Sequence, residues 1–141
     1  MSRAYALLLA VCCALSPGCG DAVQGTTGPT QVSPSIAMFS GRLEVGATRF
    51  YSFTMSEGGT MNATLASITS SSTGTPVSES LTIGFGAPRG TGCDAAPREE
   101  ATAALLPQLT RAVVPGEYCL EVSDTAGLAE AVNFAIRFVY Q

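Results

Sequence analysis

The sequence predicts an all-β chain, an antiparallel, jelly-roll-like β-sandwich, and three observations carry that expectation. Apolar residues recur at every second position over several short runs, the mark of strands with one buried face. Clusters of Gly, Pro and Ser separate these runs, and no long stretch shows the 3.6-residue apolar period of a helix. At 141 residues, 46% of them hydrophobic and 13% charged, the chain has the length of one domain around one core.

Taken in order, Ile36 to Val45 alternates loosely and reads as an edge strand. Tyr51, Phe53 and Met55 share a face of the next run, Met61, Ala63 and Leu65 of the third, and Leu81, Ile83 and Phe85 of the fourth. Between the last two, Ser67 to Ser80 is rich in Ser and Thr, with Gly74 and Pro76, and reads as an exposed hairpin loop. Ala87 to Ala104 reads as a long loop. Within and beyond it, Pro97 to Leu106 could form a helical turn or two, with Glu99 and Glu100 near the positive end of the dipole. Leu109 to Val114 then leads through a Pro115-Gly116 turn into Tyr118, Leu120 and Val122, which alternate with Cys119, Glu121 and Ser123. Asp124 to Gly127 reads as a hairpin turn. The last run is strict: Val132, Phe134, Ile136, Phe138 and Tyr140 alternate with Asn133, Ala135, Arg137 and Val139.

Ahead of this domain, expected over residues 36–141, the chain carries the pattern of a targeting segment. Arg3 supplies one positive charge, Ala4 to Leu15 is uncharged, and Ser16-Pro17-Gly18-Cys19-Gly20 ends it with small residues. Twelve residues at about 1.5 Å each span about 18 Å, too little for a hydrocarbon layer roughly 30 Å thick, so residues 1–18 are read as a signal peptide and not as an anchor. Leu15-Ser16-Pro17-Gly18-Cys19 resembles the lipobox of bacterial lipoproteins, with Ser16 where that family usually carries Leu. The resemblance implies a diacylglyceryl thioether on Cys19 and, with Gly20 rather than Asp next, the outer membrane. Several acyl chains at about 0.8 kcal/mol per buried CH₂ would make such attachment stable. Cleavage after Gly20, giving a periplasmic or secreted protein, stays open. Residues 19–35 are then the attachment point and a tether of Gly, Thr, Pro, Gln and Ser, roughly 20 Å in mean reach.

Cysteine usage follows from that address. Cys12 and Cys13 leave with the signal and Cys19 goes to lipid, which leaves Cys93 and Cys119 to form a disulfide in an oxidising compartment.

Thr48-Arg49-Phe50-Tyr51-Ser52-Phe53-Thr54 with Glu57-Gly58-Gly59, then Leu81-Thr82-Ile83, and above all Val114-Pro115-Gly116-Glu117-Tyr118-Cys119-Leu120-Glu121-Val122, carry a family likeness. Over about Ser35 to Gln141 the chain resembles the pre-peptidase C-terminal (PPC-like) domain of secreted bacterial hydrolases, a small antiparallel β-sandwich. The resemblance implies a fold and no catalytic residues. No peptidase sequence precedes the domain here, so the expectation is a domain that is the whole mature protein.

Composition excludes much chemistry. The chain has no His, so no Ser-His-Asp or Cys-His pair and no His-ligated zinc can be built. With a net charge of −4 and its Arg residues scattered singly, it lacks the basic footprint that nucleic acid requires. Carboxylates remain. Glu99 and Glu100 are adjacent, which presents no matched acid and base across a bond. Asp94 with Glu99 and Glu100 could offer oxygens to Ca²⁺, but no Asp-x-Asp-x-Asp-Gly loop is present. Trp is absent, and Tyr51, Tyr118, Phe134, Phe138 and Tyr140 fall on core-facing positions, which leaves Phe50 as a single exposed ring. Asn62-Ala63-Thr64 fits a glycosylation acceptor by chance. Arg42, Arg49, Arg89, Arg98, Arg111 and Arg137 read as isolated surface charges.

The expectation is therefore an exported, lipid-anchored, non-catalytic binding or scaffolding module without catalytic, metal or cofactor residues. Its partners would be the bilayer, through acylated Cys19, and a protein or polysaccharide of the envelope, met through a loop or an edge strand. The loop from Ala87 to Ala104, pinned by Cys93 and Cys119, is the largest candidate. Two other classes remain: a small carboxylate-based secreted hydrolase using Asp94, Glu99 or Glu100, and a structural envelope component without a ligand.

Overall fold

The alternating runs form two four-stranded antiparallel sheets in the computed structural model, which describes residues 35–141. The strands are β1 (Ser35–Leu43), β2 (Thr48–Met55), β3 (Gly59–Ser70), β4 (Leu81–Arg89), β5 (Gly92–Ala101), β6 (Leu109–Val113), β7 (Gly116–Ser123) and β8 (Val132–Tyr140). The first sheet has the order β1-β8-β3-β6 and the second β2-β7-β4-β5. The predicted β-sandwich is thus the fold, and the described residues contain no helix. Cys19 and the signal and tether segments lie outside the described residues, except that Ser35 already belongs to β1.

Period-2 patterning places the core. Met61, Ala63 and Leu65 of β3, Leu81, Ile83 and Phe85 of β4, and Leu120 and Val122 of β7 are fully buried, as is Ile136 of the strictly alternating β8. Each such Leu, Ile or Phe contributes roughly 1.5–3 kcal/mol by leaving water. Five rings, Phe39, Tyr51, Phe53, Phe134 and Phe138, continue this layer towards β1 and β2, with Phe53 and Phe138 centred 4.9 Å apart.

Most connections pass from one sheet to the other, and β4–β5 is the hairpin made within a sheet. Pro115-Gly116 and Asp124 to Gly127 are therefore corners, and the second is not the hairpin turn that its composition predicts. Asp124 shows why that composition is needed anyway. Its carboxylate accepts the Gly46 amide at 2.7 Å, the Gly127 amide at 2.8 Å and the Leu128 amide at 3.0 Å, and so ties the β1–β2 turn to the β7–β8 connection. Gly46 and Gly127 hold φ of 69° and 87°, a region that glycine enters without a Cβ clash. The expected loop at Ser67 to Ser80 is shorter than its composition suggests, because β3 runs on to Ser70 after a register shift between Leu65 and Ser67.

The stretch Ala87 to Ala104 corrects the sequence reading most. It is neither a loop nor a helical turn. It holds the end of β4, a tight turn with Gly90 at φ 59°, and all of β5. The β4–β5 register shifts between Gly84 and Gly86, beside a cis Ala96-Pro97 bond. At Gly86 a Cβ would fall inside contact distance of the Asp94 carbonyl, and at Gly84 it would stand 2.9 Å from Arg98 Cγ and 3.0 Å from Ala95 Cβ. Two glycines on the outer side of β4 thus let β5 close over that strand and reach β7. There Cys93 bonds to Cys119, with a Cα separation of 5.8 Å, and Arg98 Nε donates to Glu121 Oε1 at 2.9 Å. Cys119, Glu121 and Ser123, the polar-side positions of β7, are consequently buried.

Candidate functional site

The sequence-selected carboxylates do not converge. Asp94 faces Arg89 at 3.3 Å, Glu100 accepts a hydrogen bond from Ser80 Oγ at 2.6 Å, and Glu99 is exposed on the same edge strand. Each answers to a local partner or to solvent, and Asp94 and Glu100 are held by different groups, Arg89 and Ser80. Among the described residues no group of three or more His, Cys, Asp or Glu side chains is gathered for a metal ion. Asn62 Oδ1 accepts from Thr110 Oγ1 at 2.8 Å within the first sheet.

Nor are most of the arginines isolated. Arg98 covers Glu121, Arg42 meets Glu44 at 2.7 Å, and Arg111 donates to the Phe85 carbonyl at 3.2 Å and the Ala96 carbonyl at 3.1 Å. Arg111 stands on β6, an edge of the first sheet, and those two carbonyls lie where the β4–β5 register slips in the second. A guanidinium with its fork of donors thus joins the two sheets at a place where ladder bonds are disturbed.

The opposite side of the sandwich is open. Among the described residues β1 pairs only with β8 and β2 only with β7, so each has one backbone edge without a partner strand there, and both edges lie on the same side of the sandwich, beside the rings of the core. Tyr51 reaches from β2 and donates its hydroxyl proton to the Ser40 carbonyl of β1 at 2.9 Å, which closes the upper part. Burial pushes the Tyr51 phenol above its usual pKa, and Arg49 partly offsets this. Below that bond the strands stay apart and leave a groove of about 260 Å³, bounded by Ser35 to Ala37 on one side and Thr54 to Ser56 on the other. Its floor is Phe39, Phe53, Phe138 and Tyr140. Phe39, Phe53 and Tyr140 are only half-buried, because the strands that carry two of them are edges.

No protein-family model matches the chain, and no curated protein matches it. Among solved structures it is similar to that of Aeromonas hydrophila PliG, described as a periplasmic lysozyme inhibitor of g-type lysozyme. The identity is 21%, the match covers 75% of this chain and 86% of that one, and the TM-score is 0.49.

Sequence reasoning turns Phe53, Phe138 and Tyr140 towards the core, as found, but makes no assignment for Phe39 and does not find the groove that these rings floor. The signal was the loose alternation of Ile36-Ala37-Met38-Phe39, apolar at every position. Such a strand has no polar side to give to solvent, and the structure exposes Ile36 and Met38 at 65% and 56%. A second apolar exposure, at Leu105 and Leu106, lies in the segment read as helical.

Proposed function

We propose that this protein is an exported, non-catalytic binding module, tethered to the bacterial envelope through acylated Cys19, that holds an extended segment of a partner in the groove between β1 and β2. The groove carries this reading: two unpaired strand edges face each other over an apolar floor. An extended chain entering there finds free backbone N–H and C=O groups on either edge, and its alternate side chains meet Phe39, Phe53 and Tyr140. Strand addition of this kind takes affinity from main-chain bonds and selectivity from side-chain pockets. The Tyr51 bond to Ser40 limits the segment to the lower half of the opening.

Displayed peptide libraries, selected on the mature domain and followed by amide chemical-shift mapping, test the site. Apolar, extended binders are expected to shift the amides of residues 35–39 and 53–56. Shifts confined to other strands would overturn the reading. The address is tested by intact mass from membrane fractions: acylation at Cys19, lost together with membrane retention in Cys19→Ala, is the expected result, and an unmodified start at Asp21 contradicts it.

A further inference from the structure

The connection between β5 and β6 presents two neighbouring leucines to solvent, Leu105 at 88% and Leu106 at 77% exposure. The backbone beneath them is tied down. The Ala104 amide donates to the Leu65 carbonyl at 2.9 Å, and the Gln108 amide to the Ala63 carbonyl at 3.0 Å. Gln108 adds its side chain, with Oε1 accepting the Leu65 amide at 2.9 Å and Nε2 donating to the Thr102 carbonyl at 2.7 Å. From β8, Arg137 Nη2 donates to the Leu105 carbonyl at 3.1 Å. The segment is thus a fixed support whose two largest side chains touch little of their own protein.

That support belongs to a wider face. Arg137 lies on the outer side of β8, where its cross-strand neighbours are Met38 of β1 and Thr64 of β3, and Val139 in the next outward place stands opposite Ile36. Ile36, Met38 and the paired leucines therefore flank one guanidinium. Among the described residues Arg137 has no carboxylate within ion-pair distance. The charge is also unevenly divided. The strands of the first sheet carry Arg42, Arg111 and Arg137 and no carboxylate, whereas those of the second carry Asp94, Glu99, Glu100, Glu117 and Glu121 against Arg49, Arg89 and Arg98, in a chain of net charge −4.

We propose that the outer face of the first sheet, with the β5–β6 connection, is a docking surface for a protein that offers an apolar pocket rimmed by carboxylates, and that Leu105 and Leu106 enter that pocket. Pre-ordering is what distinguishes a protein pocket from a bilayer as the occupant. A fixed backbone lowers the entropy lost on entering a shaped pocket, whereas a fluid lipid surface gains nothing from it. Interfacial membrane binding further draws on several clustered Lys or Arg, whereas the chain has no Lys, Arg42 is paired with Glu44 and Arg111 is turned to the Phe85 and Ala96 carbonyls, which leaves Arg137 on this face. The carboxylate rim follows from charge complementarity with Arg137. The surface meets the groove between β1 and β2 at Ile36, which borders both, but Leu105, Leu106, Arg137 and Met38 take no part in lining that groove.

A photo-crosslinking residue placed at position 106 of the full chain, in the cells that make it, tests this against the same residue at position 91 in the β4–β5 turn. A discrete protein adduct at 106 and not at 91 is expected. With that protein identified and purified, Leu105→Ala with Leu106→Ala should weaken binding at least tenfold while leaving the thermal midpoint of the free protein unchanged. Arg137→Gln should weaken it less and flatten its salt dependence. Absence of an adduct at 106, adducts with phospholipid alone, or an affinity indifferent to the two leucines each overturn the proposal. Groove-directed peptides remain able to bind the leucine variant, so the two sites fail separately.

Discussion

The Tyr51 hydroxyl and the Ser40 carbonyl, 2.9 Å apart, form the side-chain hydrogen bond that links the free edges of β1 and β2 among the described residues. It exists because residue 41 is glycine: a Cβ there would stand 2.8 Å from the Tyr51 oxygen. The two sheets are covalently continuous at their corners, and along this side, among the described residues, the ring contacts of Phe39 with Tyr51 and Phe53 act together with this bond to oppose their separation. Tyr51 is thus a hinge pin for the groove below it.

Tyr51→Phe keeps the ring and removes the pin, and is expected to cost about 0.5–1.5 kcal/mol in urea unfolding. Gly41→Ala should destabilise wild type by pushing the hydroxyl away, yet be close to neutral in the Tyr51→Phe background, where no hydroxyl remains. A double-mutant cycle reads this coupling directly. Additive costs would show that Gly41 serves some other need.

The Cys93 to Cys119 bridge closes 26 residues and fastens edge strand β5 across β4 to β7. In the chain-entropy account a loop of that length stabilises by roughly 3–4 kcal/mol. Cys93→Ala with Cys119→Ala should lower stability by about that amount in denaturant titrations. Hydrogen exchange should then rise first in β5, the edge strand of the second sheet, which pairs with β4 alone. Gly86→Ala attacks the same arrangement from below, by forcing the Asp94 backbone off β4, and is expected to be at least as damaging.

What the sequence disclosed depended on how local the determining feature was. Val132 to Tyr140 was legible over its full length because β8 is an inner strand with one face in the core and one outside, so hydropathy alone marks both. β5 was not, since it runs from Gly92 to Ala101 and its middle holds Pro97, Arg98, Glu99 and Glu100, a composition that signals a polar turn. Its strand character comes from Gly84 and Gly86 on the neighbouring β4, and nothing in β5 itself states it. The same non-locality hid the site. The alternation turns Phe53 inward and is silent on Phe39, and the half-exposure of both rings depends on β1 and β2 being edges on one side, a property of strand order and not of either run.

Arg98 and Glu121 illustrate a charge pair with unequal stakes. The Glu121 side chain is 9% exposed and that of Arg98 50%, so the pair is partly screened on the arginine side only. Arg98→Ala is expected to cost about 1–2 kcal/mol in thermal or denaturant unfolding, because it strands a nearly buried carboxylate and not because the exposed guanidinium was strongly bound. Glu121→Gln added to Arg98→Ala should recover part of that loss by removing the unpaired charge. A double variant less stable than Arg98→Ala alone would contradict this assignment of the cost to the carboxylate.

Asp124 links folding to pH. Amide donation from Gly46 holds its carboxyl below the usual carboxylate range, with Gly127 and Leu128 adding to the effect and partial desolvation opposing it. A group whose folded pKa is depressed contributes stability that is present above its unfolded pKa, near 4, and is lost as pH falls through the folded value. Wild type should therefore lose stability on acidification below about pH 4, as the β1–β2 turn releases from the β7–β8 connection. Asp124→Asn should remove that part of the acid dependence, since an amide keeps an accepting oxygen but does not titrate. It should also lower stability near neutral pH by about 1 kcal/mol, the difference between charged and neutral acceptors. Thermal midpoints from pH 2 to pH 7 for both proteins check this: the curves should converge at the acid end, and parallel curves would show that the Asp124 carboxylate is not what couples these two connections to protons.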